Sequence, residues 1–174
     1  IWSSAELSKE LGLTMSEKPI KLLNPISEEL SVMRESILPS LLKNIVYNDH
    51  HGNHYGRLFE IAPAHYKKED ASFGEQRRLA LAFWGQKEGL WDKYKDNHVV
   101  YTLKSTVDTL LRSLGAKNWR WDAVAEEKCP SGFHPGQSVK LFYEGKHIGL
   151  LGSLHPSIKD ENKIRTSVAW AEFN

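Results

Sequence analysis

The chain has 174 residues, and its content of 40% hydrophobic and 10% aromatic residues excludes a disordered protein and fits a single domain over residues 1–174. Its 23 Lys and Arg residues balance 22 Asp and Glu residues, so the net charge of +1 gives no field over the whole domain that would attract nucleic acid or an anionic membrane. The single cysteine, Cys129, excludes an intramolecular disulfide and indicates a reducing compartment, so a cytoplasmic location is expected.

The first residues predict a fragment that opens with a short helix. The sequence begins Ile1-Trp2-Ser3, without Met or an apolar signal stretch, so we expect a piece of a longer polypeptide. Residues 4–12 have the pattern of a short capped helix that stops at Gly12. Residues 20–23 form a strand candidate.

The strongest helical pattern of the first half runs from about residue 38 to residue 50. It begins at Leu38-Pro39, where proline suits a first helical turn. Its apolar residues recur at the spacing that places them on one stripe of a helix: Leu38, Leu41, Leu42, Ile45 and Val46. Such a stripe needs a sheet face against which it can be buried.

From residue 56 the hydrophobic period changes to two residues, which predicts a strand over 56–62. Pro63 is expected to interrupt or bend this strand, because proline cannot donate a hydrogen bond to a ladder. A polar connection over 67–76 leads into an apolar strand over 79–84, so the two strands form a hairpin-like pair. The apolar run is too short to span a bilayer, and no membrane partner is expected.

The second half of the chain repeats this alternation of patterns. Helical spacing over 99–114 ends at Gly115, and a helical turn follows Pro156. Strands are predicted at four places: 119–122, 138–143, 147–154 and 166–173. A compact turn that contains glycine joins the second of these strands to the third. Hairpins with helices inserted between them predict an α+β fold, in which an antiparallel β-sheet is flanked by α-helices.

Three histidines follow the first long helix in the segment Asp49-His50-His51-Gly52-Asn53-His54. Metal binding needs ligands that converge at about 2.0 to 2.2 Å, and three imidazoles could supply part of the site of a small metal-dependent hydrolase. His50 and His51 point in different directions on a helix, and no HExxH spacing is present. A polar helix end, where histidine complements the negative end of the helix dipole, is therefore favoured, and no metal site is predicted.

The sequence lacks the motifs of nucleotide binding and of nucleophilic catalysis. It contains no GxxxxGK[ST] loop, no GxGxxG turn after a strand and no GxSxG elbow. Gly149 and Gly152 lie within a strand pattern, where glycine usually marks close backbone packing. Cys129 lies beside Pro130, with no neighbouring group that would activate its thiol. We therefore predict no catalytic and no cofactor-binding residue in this chain.

Aromatic and basic residues interleave over 84–95, a combination that stacks bases and neutralises phosphates in RNA-binding proteins. The residues concerned are Trp84, Lys87, Trp91, Lys93, Tyr94 and Lys95. Glu88, Asp92 and Asp96 cancel the charge of these lysines, which favours a solvated face over an RNA groove. A free-standing RNA-binding module is the alternative function.

One segment has a distinctive character: LLNPISEELSVMR at 22–34, followed by SILPSLL at 36–42. Three more segments follow it in order: RLFEI at 57–61, FHPGQS at 133–138 and IGLLGSLHP at 148–156. Together they resemble the beta subunit of bacterial-type phenylalanine-tRNA ligase (phenylalanyl-tRNA synthetase). The resemblance covers nearly the whole chain.

The resemblance implies the class II synthetase-like core of that subunit, an antiparallel sheet flanked by helices. In this family the alpha subunit charges tRNA(Phe) with phenylalanine, using ATP and magnesium, and two alpha and two beta subunits form a heterotetramer. The beta core is a degenerate copy of the catalytic core. The resemblance therefore implies that this fragment holds no cofactor, is inactive alone and supports assembly with the alpha subunit.

Departures from the class II pattern agree with a core that does not catalyse amino-acid activation, which we call a silent core. Amino-acid activation needs cationic groups on the ATP phosphates, which class II enzymes supply as arginines in two motifs. At the first motif this chain has Tyr66-Lys67-Lys68-Glu69, with lysine in place of an arginine that binds in a bidentate manner. At the second, Gly149 and Gly152 are followed by Leu154-His155-Pro156, without arginine. We expect the chain to form no aminoacyl-adenylate.

Residues 23–46 resemble the strand-and-helix element with which class II cores pair. One helix stripe cannot face both the sheet and a partner, so Leu38, Leu42 and Ile45 are expected to face the domain's own core. Met33, Arg34 and Leu41 are expected to lie toward the surface that pairs with the alpha subunit, since Met and Arg are favoured at interfaces.

Overall fold

Six antiparallel strands form the central sheet of the chain in the computed structural model, which describes residues 2–3, 5–13, 20–25, 31–68, 70, 72–85 and 99–174. The strands are β1 (Trp2–Ser3), β2 (Val32–Met33), β3 (Gly56–Lys67), β4 (Phe73–Trp84), β5 (Trp119–Ala123), β6 (Phe133–Tyr143), β7 (Lys146–Leu154) and β8 (Val168–Phe173). The helices are α1 (Ala5–Glu10), α2 (Leu38–His50), α3 (Val99–Ser113) and α4 (Pro156–Glu161). The strand order is β3-β4-β8-β7-β6-β5, and β1 pairs with β2 in a separate ribbon. The predicted α+β class is confirmed.

Helices cover both faces of the sheet. Along β4, Ala80, Ala82 and Trp84 belong to the apolar cluster that contains α2, whereas Leu81 and Phe83 belong to the cluster that contains α3. Because successive side chains of a strand point to opposite faces, the two helices lie on opposite sides of the sheet. Burial on both faces also explains why the sequence of β4 reads as a continuous apolar run.

The apolar stripe of α2 is buried against the sheet. Pro39 lies in the first turn, where its missing N–H removes no helical hydrogen bond. Leu38, Leu42 and Ile45 have at most 1% of their surface exposed, as expected of core residues. Leu41 is 2% exposed, because it lies three residues after Leu38 and four before Ile45 and so shares their face. The expectation that Leu41 points away from the core is wrong.

The β3–β4 hairpin is longer than the sequence predicts, since β3 continues through Pro63 to Lys67 and β4 begins at Phe73. The N–H of His65 donates to the carbonyl of Arg34, outside the hairpin, at 2.8 Å. Positions in phase with His65, including Pro63, therefore direct their backbone groups away from β4. Pro63 costs the β3–β4 ladder no hydrogen bond, and the predicted interruption is wrong.

The β6–β7 hairpin has the predicted turn. Glu144 and Gly145 have φ values of 49° and 79°, the left-handed geometry that a two-residue hairpin turn requires. A Cβ atom at Gly149 would lie 2.2 Å from the carbonyl oxygen of Glu172 in β8, and one at Gly152 would lie equally close to a β6 side chain. The close backbone packing predicted for these two glycines is confirmed.

Most of the other predicted elements are present, with shifted ends. Residues 20–23 are the exception: they form no strand and contribute only an isolated bridge between Lys21 and Val32. No helix in the described part of the chain has the length and apolarity needed to cross a membrane.

Candidate functional site

Arg34 lies between β2 and the outer edge of β3. Its side chain is 7% exposed; Nη1 donates to Oε1 of Glu60 at 2.7 Å and Nε donates to the carbonyl of Pro63 at 3.2 Å. Together with the hydrogen bond from His65 to its carbonyl, these contacts tie the β2 segment to β3. The side chain that was expected at a pairing surface is used inside the fold.

The three residues predicted at the pairing surface do not form one exposed patch. Met33 is half-buried and pairs in register with Trp2, Arg34 is buried in its hydrogen bonds, and Leu41 belongs to the α2 core. Only Met33 keeps appreciable exposed area. Residues 26–30 of the same stretch lie outside the described residues.

Asp49 is the centre of the polar segment that follows α2. Its carboxylate is fully buried, accepts from the N–H of Arg165 at 2.9 Å and from Oγ1 of Thr166 at 3.3 Å, and lies 3.1 Å from Nδ1 of His54. Burial raises the pKa of Asp49, but these hydrogen bonds outweigh burial and hold the pKa below its ordinary value. The carboxylate joins the end of α2 to the segment that leads into β8.

The histidines of this segment have separate partners. Nε2 of His50 lies 3.1 Å from the carbonyl oxygen of Asn162, and Nδ1 of His51 lies 2.7 Å from that of Tyr47. Across the described ranges, no group of three or more His, Cys, Asp or Glu side chains is placed to hold a metal ion. The geometry is that of a polar helix end and gives the metal-hydrolase alternative no support.

A second carboxylate, Asp108, holds α3 against the edge strand β5. Its Oδ1 accepts from Nε1 of Trp119 at 2.9 Å and from Nε1 of Trp121 at 2.8 Å, and its Oδ2 accepts from Nζ of Lys104 at 3.0 Å. Burial raises the pKa of Asp108, but the three hydrogen bonds more than compensate, so the pKa lies below its ordinary value.

A third carboxylate, Glu172 in β8, joins three elements. Its Oε1 accepts from the N–H of Ile37, immediately before α2, at 2.6 Å. Its Oε2 accepts from Nη1 of Arg78 in β4 at 2.8 Å, and the two side chains are only 10% and 12% exposed. A pair this buried holds its neighbours in place only while both partners are present, because either one alone is a costly buried charge.

The described residues of segments 66–69 and 149–156, which occupy the places of the two class II motifs, do not form a phosphate-binding site. Lys67 and Lys68 are exposed at the tip of the β3–β4 hairpin, and Glu69 lies outside the described residues. The space beside Gly149 is occupied by the backbone of β8. Burial raises the pKa of the Cys129 thiol, which disfavours the thiolate that a nucleophile needs.

A cleft of about 500 Å³ lies where the first turn of α3 meets α4 and the ends of β6 and β7. Its lining includes Lys104, which is paired with Asp108, and His134, whose Nδ1 accepts from the N–H of Gly136 at 3.1 Å. No arginine occurs among the described residues that line it. The described lining therefore offers no bidentate donors of the kind that clamp a triphosphate.

Of the aromatic and basic strip over 84–95, only the first two residues are described. Trp84 is 4% exposed, and its Nε1 donates to the carbonyl of Asn53 at 2.8 Å. Its ring belongs to the core and is not available to stack on a base. The strip from residue 86 onward lies outside the described residues.

Sequence reasoning missed the buried carboxylates as organising residues, although a pattern could have identified two of them. Asp49 lies four residues after Ile45, and Glu172 lies two residues after Trp170. Each acid thus continues a buried face, of a helix in one case and of a strand in the other. A charge at such a position needs polar partners inside the fold.

Comparison with known proteins places the chain in one family. Residues 2–174 match the model of the phenylalanyl tRNA synthetase beta chain CLM domain. The chain is 44% identical over 172 residues to the phenylalanine--tRNA ligase beta subunit of Bdellovibrio bacteriovorus, which covers 98% of this chain and 21% of that protein.

Two more distant beta subunits match over nearly the same range. The beta subunit of Protochlamydia amoebophila is 31% identical over 160 residues, which cover 91% of this chain and 19% of that protein. The beta subunit of Methanopyrus kandleri is 30% identical over 174 residues, which cover 99% of this chain and 27% of that protein. The chain spans about a fifth to a quarter of the length of these curated relatives. Because the family model matches almost every residue, the chain belongs to the family of phenylalanyl tRNA synthetase beta chain CLM domains.

Proposed function

We propose that this chain is a non-catalytic, class II synthetase-like core that supports assembly of phenylalanine-tRNA ligase with its catalytic alpha subunit. The observation that carries the proposal is the family match over residues 2–174, together with 44% identity to a phenylalanine--tRNA ligase beta subunit. In the proposed heterotetramer, two alpha and two beta subunits charge tRNA(Phe) with phenylalanine in the cytoplasm. The alpha subunit binds ATP and magnesium there, and this chain binds neither.

The use of polar side chains in the described core supports a scaffold. The hydrogen bonds accepted by three carboxylates hold the helices in place: those of Asp49, Asp108 and Glu172. Catalytic acids and bases, in contrast, must keep a face open to substrate. A domain whose buried carboxylates are used in this way is suited to present a fixed surface to another subunit.

Co-purification and isotope exchange test the proposal. We expect the chain to co-purify with the alpha subunit from the same source, and ATP–pyrophosphate exchange to be undetectable for the chain alone. Exchange by the purified chain would contradict the silent core, and failure to bind the alpha subunit would contradict the assembly role. Salt-dependent binding of the chain alone to tRNA would favour the RNA-binding alternative.

ATP should also leave the thermal stability of the chain unchanged. A ligand that binds only the folded state, at 100 times its Kd, stabilises that state by about 2.7 kcal/mol, which a domain of this size shows as a clear rise in Tm. We expect no such rise with ATP and magnesium in differential scanning calorimetry. A concentration-dependent rise in Tm would show that the chain binds the nucleotide.

A further inference from the structure

The first half of β3 has an open backbone edge. Arg34 occupies the outer side of this strand at Pro63, where its Nε bonds the carbonyl. Residues in phase with Pro63 direct their N–H and C=O groups to the same outer side, and these are Arg57, Phe59 and Ile61. Within the described part of the chain, no backbone group bonds them there. We call residues 57–61 of this edge the β3 edge strip.

Large apolar side chains are exposed along the β3 edge strip. Phe59 is 71% exposed and Ile61 is 61% exposed, on the face of the sheet that carries α3. Ile61 also borders an apolar groove of about 260 Å³, which it shares with Leu79 and with Leu114, the residue that follows α3. An apolar, unpaired edge is a template for strand addition, and native proteins normally cover or charge such an edge. Both features point to an extended polypeptide as the occupant.

Arginines flank these apolar side chains. On the same face, Arg57 lies at one end of the strip, and Arg77 lies opposite Pro63 just beyond the other end. Both are exposed, and in the described residues neither has a carboxylate partner. The Arg57 guanidinium rests on the ring of Phe83, 5.0 Å from its centroid. A segment that binds here gains from acidic residues at its ends.

We propose that the β3 edge strip is the docking site for an extended segment of the alpha subunit, which adds to the six-stranded sheet as a further strand. The segment is apolar at alternate positions and acidic where it passes Arg57. A second copy of this chain fits less well, because two-fold pairing about Phe59 sets Arg57 against Ile61. The carboxylate of the strip, Glu60, lies on the opposite face, where it is bound by Arg34. The inference rests on the proposed function and places the pairing surface on β3 instead of at Met33, Arg34 and Leu41.

Titration of the chain with the alpha subunit tests the docking site through two variants and a matched control. Phe59→Ser removes the central apolar contact from an exposed position, and Arg57→Glu reverses the charge of one flank. Phe73→Ser serves as the control, because Phe73 is 70% exposed at the far end of the same hairpin. We expect at least a tenfold weaker Kd for Phe59→Ser, equivalent to about 1.4 kcal/mol, a weaker and less salt-sensitive Kd for Arg57→Glu, and less than a twofold change for Phe73→Ser.

Hydrogen exchange supplies a second measurement. The amides of Phe59 and Ile61 should exchange quickly in the free chain and become protected in the complex, whereas amides bonded to β4 should be protected in both. Binding of the alpha subunit that is unaffected by Phe59→Ser and Arg57→Glu would overturn the docking site and leave the assembly role standing. Failure of the unmodified chain to bind would overturn both. A dimer of the chain alone that Phe59→Ser abolishes, or protection of these amides in the whole beta subunit without alpha, would assign the strip to another occupant.

Discussion

Asp49, Asp108 and Glu172 each hold together elements that are distant in the sequence. Asp49 in α2 accepts from a backbone N–H more than a hundred residues later, and Glu172 in β8 accepts from the N–H that precedes α2. Hydrogen bonds to a charged acceptor are stronger than neutral ones, and leaving a buried donor unpaired is costly. Three side chains therefore fix the positions of α2, α3 and β8 more firmly than apolar packing alone would.

Asp49→Asn tests this role at a single residue. The substitution keeps the side-chain volume but removes the charge and one of the two acceptor oxygens, so at least one buried donor loses its partner. We expect the free energy of unfolding to fall by about 1–3 kcal/mol, measured by urea denaturation.

Asp122→Asn is the matched control for Asp49→Asn. The Asp122 side chain is 43% exposed and lies 3.1 Å from Nε of Arg120, so its loss should change stability by less than about 1 kcal/mol. Equal effects of the two substitutions would show that the buried position of Asp49 contributes nothing special.

At the scale of elements, helix α2 is held by its apolar stripe. Leu41 lies within this stripe and is 2% exposed. Leu41→Ala should therefore leave a cavity and lower the free energy of unfolding by about 2–5 kcal/mol in urea denaturation. The exposed Asn44→Ala on the same helix should change stability by less than about 0.5 kcal/mol. A change in the free energy of unfolding as small as that of Asn44→Ala would show that Leu41 does not contribute to the core.

The elements and the antiparallel class could be predicted because hydrophobic period reports which faces are buried. The continuation of β3 past Pro63 could not be predicted. It depends on which residues of β3 direct their backbone N–H and C=O groups away from β4, and the hydrophobic period of the sequence does not reveal this. The use of Arg34 inside the fold could not be predicted for a related reason. Composition favours Met and Arg at interfaces, but Arg34 is committed to Glu60 inside the fold, a contact across 26 residues that no local pattern contains.

For the whole molecule, the buried carboxylates make stability depend on pH. The pKa values of Asp49 and Asp108 are lowered in the folded state, so at acid pH the unfolded chain binds more protons than the folded chain. Their contribution is fully present above the ordinary carboxyl pKa, about 4, and is lost as the pH falls through the lowered values.

We therefore expect the contribution of Asp49 and Asp108 to the urea midpoint to be constant near pH 6 and to fall below about pH 4. Asp108→Asn should be less stable near neutral pH and show a shallower acid decline, because one of the linked carboxylates is gone. An acid decline as steep as that of the unmodified chain would show that Asp108 does not contribute to it.

The place of β8 in the sheet has a consequence for synthesis on the ribosome. This strand is the last strand of the sheet to be made, yet it lies between β4 and β7, so the β3–β4 hairpin and the β5–β6–β7 unit have no common border until it emerges. Each half exposes an apolar strand edge during that interval, and long-range pairing of this kind is slow. A nascent chain that stalls before residue 168 therefore exposes two partial sheets with unpaired apolar edges, which is the form that a chaperone would bind.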